Sequence, residues 1–318
     1  MSDLRIGISS CLLGENVRYD GGHKRDAFIV DTLGPFVSFV PVCPELDVGM
    51  GAPRESLRLV RGSADDAAPR LIAPKSGRDW TAEMTRYAAR RTRELEALDL
   101  SGYILKKDSP TCGMQRVRVY DGNGVPAKSG RGVFAEALLA RMPFLPVEEE
   151  GRLGDPHLRE NFVERVFAYR RVRGFLDARF TQGDLVRFHS GEKLLLLAHE
   201  PAAYTALGRL VAGAKALPRA ELRERYFAAY MSALAKLATV RRHVNVLQHM
   251  AGYFKTLLDE GDRREVAASI EAYGARLVPL VVPLTLIRHH VRRHEIAYLA
   301  GQAYLEPHPR ELMLRNHA

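Results

Sequence analysis

Cysteine is scarce in this sequence: 318 residues contain Cys11, Cys43 and Cys112 and no others. An odd number leaves one thiol outside any disulfide framework, and a chain this long supports its core without staples. No two of the three form a Cys-x-x-Cys pair, so the usual structural zinc knuckle is excluded. Long apolar runs are missing too; the longest, Leu277 to Ile287, is too short to span a bilayer. The opening Met1-Ser2-Asp3-Leu4-Arg5 has no signal-peptide pattern, and there is no internal repeat or low-complexity tract. Together these absences predict a cytoplasmic protein in a reducing compartment, with no membrane segment. There, grouped thiolates are more often metal ligands or catalysts than bridges.

What is present is a recurring context for each thiol. Cys11 follows Leu4-Arg5-Ile6-Gly7-Ile8, Cys43 follows Phe36-Val37-Ser38-Phe39-Val40-Pro41-Val42, and Cys112 follows Tyr103-Ile104-Leu105 after a short polar turn. These apolar runs have strand length, the first with clean alternation, so each thiol is expected just past the carboxyl end of a strand. In an open parallel sheet those ends share one edge, where such folds place their sites. Three converging soft thiolates suit zinc, copper(I) or an iron–sulfur cluster. Spacing alone leaves equally open that they are buried apolar side chains, the ordinary state of a free cysteine; their Gly/Pro-rich polar surroundings weigh against that.

The chain reads as two domains, 1–154 and 155–318. The first holds 22 Lys+Arg against 21 Asp+Glu and the second 25 against 17, so nearly all of the +9 net charge lies in the second. A basic excess confined to one domain is an electrostatic footprint for a polyanion. The first domain is expected to be α/β, a parallel-type sheet with flanking helices. Its expected elements are a helix from an N-cap at Thr81 to about Leu98, strands at Gly102–Leu105 and Val117–Tyr120, and a short helix from Gly132 to Met142. The second domain is expected to be all-α, because apolar residues recur at helical spacing through Phe162–Leu176, Leu185–His199, Ala202–Val211, Leu222–Leu237, Val240–Leu258 and Val266–Leu277. The linker is expected within Glu148–Pro156.

Three motifs carry a resemblance. Ser9-Ser10-Cys11-Leu12-Leu13-Gly14 followed by Val17-Arg18-Tyr19-Asp20-Gly21, then Pro41-Val42-Cys43-Pro44-Glu45, then Ser109-Pro110-Thr111-Cys112-Gly113, resemble the signature of the TudS-type thiouracil desulfidases over about the first 150 residues. The second half resembles the YbgA-like domain, through His189-Ser190-Gly191-Glu192-Lys193, Leu196-Leu197-Ala198-His199 and the tail from Tyr304 to His317. Their fusion in this order resembles the RudS desulfidases, which convert 4-thiouridine in tRNA to uridine. The resemblance implies a 4Fe–4S cluster held by Cys11, Cys43 and Cys112, with Glu45 and Ser109 at the family's functional positions. One iron would then lack a protein ligand, and such an iron is a soft Lewis acid suited to a thiocarbonyl sulfur. Water attacks the carbon with no net redox change. Glu45 is placed to manage the proton, or else to cap a turn or pair with an arginine; Ser109 is placed to hydrogen-bond the pyrimidine ring, or else to close its turn.

For the expected partner, thiolated tRNA, the candidate phosphate contacts are Arg170, Arg171, Arg241, Arg242, Arg292 and Arg293, in basic runs that taken singly are ordinary solvated helix faces. Lys24, Arg25, Arg54 and Lys128 lie in Gly-rich loops, where a phosphate or ribose contact and plain surface solvation are both open. His23 takes no assigned role. A metal site at His289, His290 and His294 is disfavoured by the intervening Arg292 and Arg293. Two rival readings remain: a desulfidase of free thiouracil or its nucleotides, and a non-catalytic RNA-binding or zinc-holding regulatory protein. Oligomeric state is not encoded in any of these motifs.

Overall fold

In the computed structural model, which describes residues 4–61 and 68–317, the alternation of Leu4, Ile6 and Ile8 becomes a strand, β1 (Arg5–Ser9), buried along nearly its whole length. The chain divides into two units, Met1–Gly154 and Asp155–Ala318. The first continues with β2 (Ser38–Val42), α1 (Pro44–Asp47), β3 (Arg58–Val60), β4 (Arg70–Ile72), α2 (Thr81–Ala97), β5 (Gly102–Leu105), β6 (Val117–Tyr120), β7 (Pro126–Gly130), α3 (Val133–Arg141) and β8 (Val147–Glu149). One sheet has the order β2-β1-β5-β8, with every pair parallel. Its central strands β1 and β5 are buried on both faces, as parallel strands covered by helices must be. Gly7 permits the closest approach there, since a Cβ at that position would stand 2.2 Å from the Tyr103 ring.

A second, mixed sheet, β4-β3-β6-β7, was not legible in the sequence. Its strands are three to five residues long, and β3 and β4 sit in a stretch of Gly, Pro and Arg that reads as loop. Two further expectations are corrected. Thr81 is the first residue of α2 and not its cap; its hydroxyl accepts the Leu71 amide at 2.8 Å and so ties the helix to β4. The stretch expected to be the linker begins inside the sheet, because Glu148 and Glu149 are buried in edge strand β8.

The second unit is helical: α4 (Pro156–Asp177), α5 (Gln182–Gly191), α6 (Lys193–His199), α7 (Pro201–Ala212), α8 (Arg219–Leu234), α9 (Val240–Ala251), α10 (Glu260–Gly274), α11 (Val281–Arg293) and α12 (Ala297–Ala300). Side-chain caps start four of them. Asp155 accepts two amides of α4, Thr181 and Asp184 form a reciprocal capping box on α5, and Thr239 and Asp259 cap α9 and α10. The expected single helix Leu185–His199 is broken at Glu192, where Gly191 accepts the Ala303 amide from the C-terminal segment. No helix among the described residues is long and apolar enough to cross a membrane.

Inside this unit lies a charged network. Arg315 donates to Glu160 at 2.9 Å, to Glu164 at 3.2 Å and to the Tyr304 carbonyl at 2.6 Å. His199 meets Glu164 through Nε2 at 2.5 Å and the Lys236 carbonyl through Nδ1 at 2.6 Å. A carbonyl and a carboxylate can only accept, so both ring nitrogens carry protons and His199 is an imidazolium. Burial works against charge on both partners. The pairing outweighs it, raising the imidazole and holding the Glu164 carboxyl down at about 2.

The Glu164 contribution is complete above its ordinary value of 4.5 and is lost as pH falls toward about 2. The His199 contribution is complete below 6.5 and is lost as pH rises through its elevated native value. The pair therefore stabilises most between 4.5 and 6.5. Glu164→Gln is expected to lower stability by about 3–5 kcal/mol near pH 6, because it leaves a buried cation without its partner. Urea unfolding followed by helical ellipticity should show the gap between parent and variant narrowing as pH falls below 4.5. A gap independent of pH across that range contradicts the assignment.

Candidate active site

β1, β2 and β5 run parallel, so their carboxyl ends lie along one edge of the sheet. The strand order reverses at β1, the switch point at which open α/β sheets form their crevice. A cavity of about 510 Å³ opens there, and Cys11, Cys43 and Cys112 all line it. Cys11 sits in a single 3₁₀ turn (Ser10–Leu13) directly after β1, closed by Gly14 with φ of 101°, a left-handed conformation that glycine adopts without strain. Cys43 precedes α1, with Pro44 at its first position, and this places Glu45 in the first turn. α1 is held from outside by the Tyr87 hydroxyl of α2, which donates to Asp47.

Cys112 lies on a longer excursion after β5. Ser109 closes that turn: its Oγ accepts the amides of Thr111 at 3.2 Å and Cys112 at 3.1 Å, and its carbonyl accepts the Gly113 amide at 2.8 Å. The amino end of α3 closes it from the other side. Phe134 and Ala135 donate their amides to the Thr111 carbonyl at 2.9 and 3.2 Å, and a Cβ at Gly132 would stand only 2.4 Å from that carbonyl. Glu149 accepts the Met114 amide at 2.7 Å, and Glu150 takes both the Lys107 amide at 2.7 Å and the Lys106 ammonium. The acidic run expected to be linker is thus part of the frame that carries Cys112.

All three thiols are free. Burial pushes the Cys11 thiol up to about 11 against the pull of Lys106, and it raises Cys43 and Cys112 as well; Glu45 adds to the effect at Cys112. Three buried thiols of this kind become thiolates when a soft cation compensates their charge. Among the described residues, no three His, Cys, Asp or Glu side chains close on a position for one metal ion. Thiols that share a cavity without meeting at a point suit a group larger than a single ion.

Glu45 borders the same cavity. One carboxylate oxygen accepts the Thr111 hydroxyl at 2.5 Å and the other accepts Arg54, whose Nη1 is anchored on the Val17 and Gly51 carbonyls at 2.8 Å each. The arginine pairing weighed for Glu45 in the sequence is therefore present, and it leaves the carboxylate facing the cavity. Arg54 is corrected from a surface or phosphate-binding residue to an internal one, its side chain 5% exposed. Ser109 also borders the cavity, but its hydroxyl is committed to two backbone amides and Thr111, so the expected contact with a pyrimidine ring finds no free donor. Thr111 and Ser9 were missed. Ser9 accepts the Lys106 amide at 3.0 Å and hydrogen-bonds Cys112. The available signal was a hydroxyl beside two of the three cysteine motifs.

Seven Lys/Arg against three Asp/Glu line the described cavity, a cationic excess within a unit whose overall charge is nearly balanced. Lys24 is one of them; Arg25 pairs with Asp31 outside the cavity, and Lys128 is exposed on β7. His23 accepts the Arg25 amide at its Nδ1.

In the second unit the candidate arginines separate by environment. Arg171 forks onto the buried Glu192 at 2.9 and 3.1 Å and also reaches the Pro307 carbonyl, while Arg242 holds the His199 carbonyl and faces Glu200. Arg170 is half-buried; Arg241, Arg292 and Arg293 are exposed. His289, His290 and His294 make ring contacts with one another and, as elsewhere among the described residues, no metal position.

Comparison with known proteins agrees with this architecture. Residues 6–150 match the 2-thiouracil desulfurase family, and residues 193–309 match a family described as a protein of unknown function, DUF1722. The uncharacterized protein YbgA of Escherichia coli is 34% identical over 156 residues, which is 48% of this chain and 90% of that protein. The uncharacterized protein YbbK of Bacillus subtilis is 33% identical over 147 residues, 45% of this chain and 95% of that protein. A solved structure titled a [4Fe-4S]-dependent thiouracil desulfidase, TudS, is 33% identical and covers 48% of this chain and 94% of its own, with a TM-score of 0.38. The chain accordingly belongs to the 2-thiouracil desulfurase family through its first unit, fused to a YbgA-like DUF1722 domain in its second.

Proposed function

We propose that the protein removes sulfur from 4-thiouridine in tRNA, giving uridine and sulfide with water as the second reactant and no net redox change. The observation that carries this reading is the convergence of three free thiols, a carboxylate and an excess of cations on one cavity. Cys11, Cys43 and Cys112 would hold a 4Fe–4S cluster, as in the related thiouracil desulfidase, and an iron without a protein ligand would supply a soft Lewis acid for the thiocarbonyl sulfur. Glu45 does the proton work. With one oxygen fixed by Thr111 and the other by Arg54, its remaining lone pairs accept a proton from water as it attacks, and the acid so formed returns that proton to the departing sulfide.

The cations favour a phosphate-bearing substrate over a neutral base. Lys24 and Arg118 line the cavity with no anionic partner among the described residues, and Arg58 lies over the Tyr120 ring at 4.6 Å. The +8 excess of the second unit, with Arg241, Arg292 and Arg293 exposed, supports the RNA chain as the carrier of those phosphates. One observation favours free thiouracil or a thionucleotide instead: every described residue lining the cavity falls between positions 9 and 120. A zinc-holding regulator is distinguished by colour, since the iron–sulfur protein absorbs near ~400 nm after anaerobic purification.

Single Ala substitutions at Cys11, Cys43 and Cys112 are each expected to deplete bound iron and sulfide strongly; full retention in all three refutes the ligand set. Glu45→Gln should keep the iron while turnover falls about 100- to 10,000-fold, and parental turnover with chemistry rate-limiting removes Glu45 from its role. Reversing the charge of Arg292 together with Arg293 should raise KM for thiolated tRNA more than for 4-thiouridine monophosphate. Affinity for tRNA should fall steeply between about 50 and 200 mM salt. Equal effects on both substrates, with binding indifferent to salt, would place the helical unit outside recognition and favour the mononucleotide.

A further inference from the structure

We propose that Thr111 is a positioning residue: its hydroxyl sets the orientation of the Glu45 carboxylate and is the end of a one-directional hydrogen-bond chain that starts at the backbone of the Cys112 turn. The proposal rests on the reading of Glu45 as the group that handles the water proton. The argument is one of counting. A threonine hydroxyl has one proton to give and two lone pairs. The Thr111 oxygen lies 2.5 Å from Glu45 Oε1, 2.9 Å from Ser109 Oγ and 3.7 Å from Cys112 Sγ. An ionised carboxylate only accepts, and 2.5 Å falls in the range of charge-assisted O–H···O bonds, so the single proton goes to Glu45.

Ser109 must then donate into a lone pair of Thr111, and its own two lone pairs are filled by the amides of Thr111 and Cys112. The direction of every bond in the chain is fixed: backbone amides to Ser109, Ser109 to Thr111, Thr111 to Glu45. Its origin does not give way either, because the Thr111 carbonyl is held by two amides of α3 and is crowded by Gly132. Thr111 is fully buried and lies behind the cavity wall that Glu45 faces, so it acts through Glu45 and does not touch substrate. The same counting explains the spacing in Ser109-Pro110-Thr111-Cys112: the second hydroxyl connects the turn that carries a thiol to the carboxylate that follows another thiol, Cys43.

The test compares Thr111→Val, which keeps the shape and removes the hydroxyl, with Thr111→Ser, which keeps the hydroxyl. In full-length holoenzyme, Thr111→Val should lower kcat per iron-loaded chain about 10- to 100-fold, the loss that goes with a hydrogen bond to a charged group. KM should change much less, and Thr111→Ser should restore most of kcat. A second readout is the infrared carboxylate stretch of Glu45, identified as the band lost in Glu45→Gln; it should shift in Thr111→Val and not in Thr111→Ser. Parental kcat in Thr111→Val, an unmoved band, or a Thr111→Ser variant as impaired as Thr111→Val each overturns the proposal. The band is also read in the metal-free full chain, so loss of iron from Thr111→Val leaves the question decidable. If the parent desulfurates no thio-substrate, the function assigned to Glu45 falls, and the infrared comparison still decides whether Thr111 orients it.

Discussion

Parallel pairing of β1 with β2 on one side and β5 on the other is the constraint on which the site depends. Because the three strands point the same way, segments ending near residues 9, 42 and 105 finish along one edge, and Cys11, Cys43 and Cys112 line one cavity although more than 100 residues separate the first from the last. An antiparallel partner for β1 would send one of these ends to the opposite edge. Burial of both faces of β1 and β5 keeps the register, since a slip of one residue would exchange Ile6 and Ile8 with Gly7 and undo the Tyr103 contact.

Within that frame the thiols and the carboxylate are held by different means. Cys11 and Cys43 follow their strands almost directly, so the sheet itself places them. Cys112 is seven residues beyond β5, and an array of hydrogen bonds does for it what strand pairing does for the others: Ser109 from within, α3 amides from one side, Glu149 and Glu150 of the β8 end from another. Glu45 is reached from two of these systems at once, through Arg54 and through Thr111. A carboxylate with two fixed donors turns little, and general acid–base work depends on that geometry before it depends on pKa.

The first sheet was legible because apolar runs of strand length preceded each cysteine, and the helical unit because its apolar positions repeat at helical spacing. β3, β4, β7 and β8 were not, since strands of three to five residues rich in Arg, Glu or Gly carry too few apolar positions to show alternation. Glu148–Glu150 read as a charged linker because composition cannot reveal that backbone amides of the Cys112 loop would need acceptors there. Arg171, Arg242 and Arg54 read as surface cations for the same reason: their partners, Glu192, the His199 carbonyl and Glu45, are close in space and distant or unremarkable in sequence. Single basic runs thus overstated the surface, while the domain-wide excess, carried by residues such as Arg241, Arg292 and Arg293, remained exposed.

The central claim is that this site exchanges the sulfur of a thiocarbonyl in RNA for the oxygen of water. The most direct measurement is anaerobic reconstitution of the full chain with iron and sulfide, incubation with thiolated tRNA, digestion, and separation of the nucleosides. 4-Thiouridine should disappear as uridine and free sulfide appear in equal amounts. Unchanged 4-thiouridine in the presence of a fully loaded cluster would contradict the account.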